Sequence, residues 1–126
     1  MNDLTNAKHR KFVELLYRRT ADRGMTWEIN SQFQIYSTIA GGTLFMAEGV
    51  NGEGEDTIVF KLFGGDGKIT DNFSDDSLRY DREVPAGFGN WYLLCSAMYE
   101  MAKRQATGAD NVLDAMIAEL DDDIPF

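Results

Sequence analysis

Nucleophilic catalysis needs a thiol or hydroxyl held near a base. This sequence offers one histidine, His9, and one cysteine, Cys95. His9 falls in the basic run Lys8-His9-Arg10-Lys11. Cys95 falls between Leu94 and Met98 in a helical pattern, where the expected role is a small buried hydrophobe. One histidine and one cysteine do not make an ordinary zinc site. Asp71, Asp75, Asp76 and Asp81 could hold a hard cation, yet they lack the alternating ligands, central glycine and terminal glutamate of an EF-hand loop. The run Gly64-Gly65-Asp66-Gly67-Lys68 has the flavour of a phosphate loop, but that loop needs glycine where Leu62 stands and a hydroxyl where Ile69 stands. A β-turn and solvated loop acids are the better expectation. No catalytic residue, metal site or cofactor is expected, and the sequence points away from an enzyme.

The elements that position these residues begin with a helix over residues 3–23. Leu4, Phe12, Leu15, Leu16 and Arg19 recur along one side, and Gly24 is the expected stop. The pattern then changes to period two. Trp27, Ile29, Phe33, Ile35 and Ile39 alternate with polar residues, as one strand or as two joined at Asn30-Ser31. Ala40-Gly41-Gly42 marks a turn. Strands follow over 43–50, 57–63 and 68–73, separated by glycine-rich turns. Residues 74–89 read as an acidic loop. Asn90 caps a helix reaching Thr107, with Trp91, Leu94, Met98, Met101 and Ala102 as its buried stripe and Gly108 as its stop. A last helix over 110–120 carries Leu113, Met116, Ile117 and Leu120 on one face. The expectation is a single α+β domain over residues 1–120. It comprises an N-terminal helix, an antiparallel meander of three or four strands, and two C-terminal helices packed on one sheet face. A free acidic tail, 121–126, follows.

At 126 residues the chain suits one domain, and its 44% hydrophobic content suffices for a core without disulfides. No apolar run approaches the roughly 20 residues that span a bilayer. No basic segment followed by an apolar one opens the chain, so a cytoplasmic location is expected. The net charge of −9 is unevenly spread. Residues 1–24 carry six basic and three acidic side chains, and the remaining 102 carry six basic and eighteen acidic. So acidic a body repels phosphate and argues against a large nucleic-acid face. On the first helix, basic and apolar residues interleave without a separate basic side.

The last six residues are Asp121-Asp122-Asp123-Ile124-Pro125-Phe126. This segment resembles the C-terminal tip of bacterial single-stranded-DNA-binding proteins, in which three aspartates precede a terminal Ile-Pro-Phe. The resemblance implies docking onto genome-maintenance proteins such as a RecQ-type helicase, exonuclease I, primosome proteins or a clamp-loader subunit. It also implies the roles: Ile124, Pro125 and Phe126 in an apolar pocket, and Asp121, Asp122 and Asp123 against a basic rim. Physical chemistry agrees. Pro125 stiffens the segment and reduces the entropy lost on docking. Phe126 sets a large ring beside a carboxylate that a receptor arginine can clamp.

The body departs from that family. Those proteins open with a β-barrel bearing a basic groove and reach the tip through a long linker, whereas here a helix opens the chain and another runs almost into Asp121. The resemblance therefore implies docking, without DNA binding. The function expected is an adaptor that mimics the tip, as a phage or mobile-element competitor for host machinery would. One alternative is a single-stranded-DNA-binding protein of another fold, stacking bases on Trp27, Phe33, Tyr36 and Phe45. Another is an acidic immunity or inhibitor protein.

Overall fold

The computed structural model describes residues 3–79 and 83–122. Helix α1 (Asp3–Ala21) leads into strands β1 (Glu28–Ile29), β2 (Ile35–Ile39), β3 (Gly42–Val50), β4 (Asp56–Phe63) and β5 (Ile69–Ser74). Two short 3-10 turns follow, and then helices α2 (Trp91–Thr107) and α3 (Ala109–Asp122). The α+β class and the element order are those the sequence predicts. The strands form one antiparallel sheet in the order β1-β2-β3-β4-β5. The fifth strand arises because residues 25–39 make two strands, with Ile29 opposite Ile35.

Hairpin chemistry explains the meander. Ala40 and Gly41 both take left-handed conformations, φ 51° and 80°, as a two-residue turn between right-twisted strands requires. The other three hairpins repeat one five-residue design. In each, the first residue's N–H donates to the fifth residue's carbonyl, and the fourth residue's N–H returns to the first carbonyl, at 2.9–3.1 Å. The fourth positions are Phe33, Gly54 and Gly67, all left-handed.

Alternation along the strands sends Ile35, Leu44, Met46, Ile58, Phe60 and Phe73 into the core. Helix α2 crosses this face against β1, β2 and β4, and α1 packs beside it. Val13, Leu16, Trp91, Leu94, Cys95, Met98 and Ala102 complete the core. Asn90 caps α2 by accepting the Leu93 N–H at 2.8 Å, and Gly108 ends it at φ 69°. Met101 is half-buried at the edge of the stripe.

Two helices depart from expectation. On α1, Leu4 and Leu15 face outward, 76% and 53% exposed, while Asn6, Val13, Leu16 and Thr20 are buried. The buried face is chosen by what the neighbours satisfy: Thr20 Oγ1 accepts the Trp27 indole N–H at 3.1 Å, and its carbonyl accepts from Gln105 at 3.1 Å. The left-handed residue closing α1 is Arg23, φ 60°, with Gly24 donating to the Arg19 carbonyl at 2.8 Å. The second departure is α3, which packs on α2 and leaves its apolar face uncovered.

Candidate functional site

The stem of the C-terminal segment is α3. It starts at the left-handed Gly108 and is tied back by Arg104, whose Nε donates to Asp110 at 2.9 Å. From Asn111 through Asp121 every residue is exposed. Leu113, Met116, Ile117 and Leu120, spaced at i, i+3, i+4 and i+7, are 47–63% exposed. That is the spacing with which an amphipathic helix enters a hydrophobic groove. All five charged residues of α3 are acidic. The helix extends two residues past the expected boundary, so Asp121 and Asp122 belong to its final turn. Asp121 is exposed, while residues 123–126, with the expected anchors Ile124, Pro125 and Phe126, lie outside the described residues.

Helix α1 supplies the opposite charge. Because Leu4 and Leu15 turn outward, they share the solvent side with exposed Lys8, Lys11, Arg18 and Arg19. Four of the five basic residues of α1 therefore do gather on one side, with Arg10 half-buried away from it. Arg18 pairs with Glu14 at 2.7 Å.

A cavity of about 530 Å3 opens beside the β3–β4 hairpin, lined in part by Glu55, Asp75, Arg79, Trp91 and Tyr92. Asn51 organises its rim. Its Oδ1 accepts the Glu53 and Glu55 N–H groups at 2.9 and 3.0 Å, and its amide donates to Glu55 and Asp76. Arg79 bridges Glu55 at 3.1 Å and Asp76. The Asn51 amide and the Arg79 guanidinium hold Glu55 below the usual carboxylate range. Asp75 lies beneath, buried, accepting the Ile58 N–H at 2.7 Å. Burial pushes its carboxyl above the usual range, and the neighbouring Asp76 charge adds to this. Among the described lining residues Glu55, Asp56 and Asp75 outnumber the one arginine, which suits donor groups better than phosphate. No local pattern marks this cluster, because its members meet only through the folded hairpin.

The residues read for other chemistries are accounted for structurally. His9 Nε2 lies 2.8 Å from Asp71, with its ring stacked on Phe73. Cys95 is wholly buried, and its thiol is pushed up by that burial, so no reactive thiolate is presented. The 64–68 segment is a hairpin turn, in which Asp66 accepts the Lys68 N–H at 3.0 Å. Asp81 lies outside the described residues, and among those described no cluster of three potential metal ligands occurs. Trp27 is core, which removes it from any base-stacking surface, while Phe33 is 82% exposed. Tyr36 and Phe45 are half-buried on the outer sheet face, their rings 5.5 Å apart. No helix among the described residues is long and apolar enough to cross a membrane. No family model, curated protein or solved structure matches this chain.

Proposed function

We propose that the chain is a non-enzymatic adaptor whose segment 121–126 docks onto DNA replication and repair proteins that recognise the single-stranded-DNA-binding protein tip. The observation that carries the reading is the segment itself, Asp121-Asp122-Asp123-Ile124-Pro125-Phe126. Its stem supports it: every charged residue of α3 is acidic, so Asp121 to Asp123 continue an acidic helix end suited to a basic rim. In this reading Ile124 and Phe126 fill the receptor pocket, at roughly 1.5–3 kcal/mol each. A receptor arginine clamps the Phe126 α-carboxylate. Long-range attraction from the aspartates is screened beyond about 8–10 Å at physiological salt. Outside α1, whose solvent side is basic, the body contributes little affinity for nucleic acid, since eighteen acids face six bases after residue 24. A protein of this kind competes with the host tip for the machinery that reads it.

The test is displacement. A fluorescent peptide of the single-stranded-DNA-binding protein tip is bound to exonuclease I or to a RecQ-type helicase, and this protein is titrated in. Release of the peptide is expected at micromolar protein, the range of about −8 kcal/mol binding. A version extended by two residues after Phe126, which removes the α-carboxylate from the ring's side, is expected not to compete. Absence of displacement by the unextended protein overturns the reading.

A further inference from the structure

The exposed face of α3 and the exposed face of α1 complement each other, yet both look outward on the same chain. Helix α1 carries five basic and two acidic residues, and α3 carries five acidic and no basic ones. The outer side of α1 runs Leu4, Lys8, Lys11, Leu15, alternating spacings of four and three that form a seam for a second helix. Two leucines and the aliphatic stems of the lysines offer α3 an apolar track with ammonium groups at its edges. On α3 the track is Leu113, Met116, Ile117 and Leu120, edged by Asp114 and Glu119.

We infer that α3 of one chain lies along the outer face of α1 of a second copy, and that the exchange is mutual. Pairing of α3 with another α3 is disfavoured, since it would bring ten acidic side chains together with no base. The placement of the two helices suits a two-fold arrangement. Arg23, just past the end of α1, lines one cleft with Gly108 and Asp110 at the start of α3. A two-fold axis is the simplest operator that makes such an exchange mutual and closes the assembly at two copies. Area favours the reciprocal form. One α3 face offers only four large apolar side chains, Leu113, Met116, Ile117 and Leu120, whereas a stable interface needs about 800 Å2 from each partner. Mutual exchange makes every chain contribute both a donor helix and a seam. This inference does not depend on the docking segment.

Sedimentation equilibrium on the full chain tests it. A dimer is expected at about 100 μM or below, loosening as salt rises. Ile117→Glu is expected to give a monomer. Lys8→Glu with Lys11→Glu is expected to weaken the dimer at least tenfold, and adding Asp114→Lys with Glu119→Lys is expected to restore it. Carbodiimide cross-linking of mixed isotopically labelled and unlabelled wild-type chains gives a reading free of substitutions: an inter-chain link between Lys8 or Lys11 and Asp114 or Glu119 is expected. A monomer at that concentration overturns the inference. So does a dimer indifferent to the α1 reversals, or the lack of any inter-chain α1–α3 link.

Discussion

Phe33 occupies, at φ 61°, the hairpin position that Gly54 fills at φ 79° in the β3–β4 hairpin. The hydrogen bonding around the two is the same, from Asn30 in one loop and Asn51 in the other. A bulky residue in the left-handed region costs roughly 1 kcal/mol against glycine. Phe33 recovers none of it by burial, being 82% exposed. Phe33→Gly is therefore expected to stabilise the fold by about 0.5–1 kcal/mol, offset partly by the greater freedom of glycine in the unfolded chain. Urea denaturation measures it. A loss of stability would show that the ring packs on its neighbours in solution.

His9 locks α1 to β5. Its Nε2 lies 2.8 Å from Asp71, and its ring lies 3.8 Å from that of Phe73, which in turn stacks on Phe60. His9→Ala is expected to cost about 2 kcal/mol, mostly lost stacking and burial. Asp71→Asn is expected to cost under about 1 kcal/mol, because the carboxylate is partly exposed and an amide oxygen still accepts. A larger loss for Asp71→Asn than for His9→Ala in the same denaturation series would contradict this order.

Asp75 sets a pH dependence whose sign follows from burial. Its folded carboxyl titrates above the ordinary 3.8, so between that value and the raised one the folded chain holds a proton that the unfolded chain has lost. Over that window, and through this group, stability falls as pH rises, and the full cost persists above it. Asp75→Asn removes the buried charge and keeps an acceptor for the Ile58 N–H. The expected result is equal or greater stability at neutral pH, with the gain over the wild type vanishing as pH falls below the ordinary carboxylate value, so that the variant loses more stability between neutral and acid pH than the wild type does. Asp75→Ala leaves that N–H unsatisfied and is expected to cost about 1–3 kcal/mol. Equal losses for the two variants at neutral pH would refute the argument.

The C-terminal segment is expected to be separable from the fold. Residues 111–121 are exposed, so removing 121–126 is expected to shift Tm by no more than about 2–4 °C. In binding to exonuclease I, deleting Phe126 removes the ring and displaces the carboxylate together, for an expected loss of at least about 2 kcal/mol, roughly thirtyfold. Asp122→Ala is expected to cost less, with an effect that shrinks as salt rises. Isothermal titration at two salt concentrations reads both. Unchanged affinity without Phe126 would make the likeness of the tip accidental.

The strands, the Asn90 and Gly108 caps and the glycine-bearing hairpins were legible in the sequence because they are local: period, turn chemistry and capping act within a few residues. The orientation of α1 was not. Leu4 and Leu15 are as apolar as Leu16, and only the partners of Thr20 and His9 from α2, β1's lead-in and β5 decide which side turns inward. On α3 the periodicity located the apolar face correctly and misjudged its cover, since a stripe of leucine and isoleucine specifies burial without specifying against what. The Asn51–Glu55–Arg79 cluster was invisible for a related reason: Arg79 meets Glu55 across 24 residues of chain.

The burial of Cys95 gives this protein an internal clock. As the sole sulfhydryl of the chain, buried on the inner side of α2, it meets a thiol reagent only when that helix lifts from the core. The rate of its modification in mild denaturant thus counts openings of the central helix, one molecule at a time and without any introduced label. If those openings coincide with global unfolding, α2 and the sheet are one cooperative unit. If they are more frequent, the C-terminal half of the chain breathes on its own.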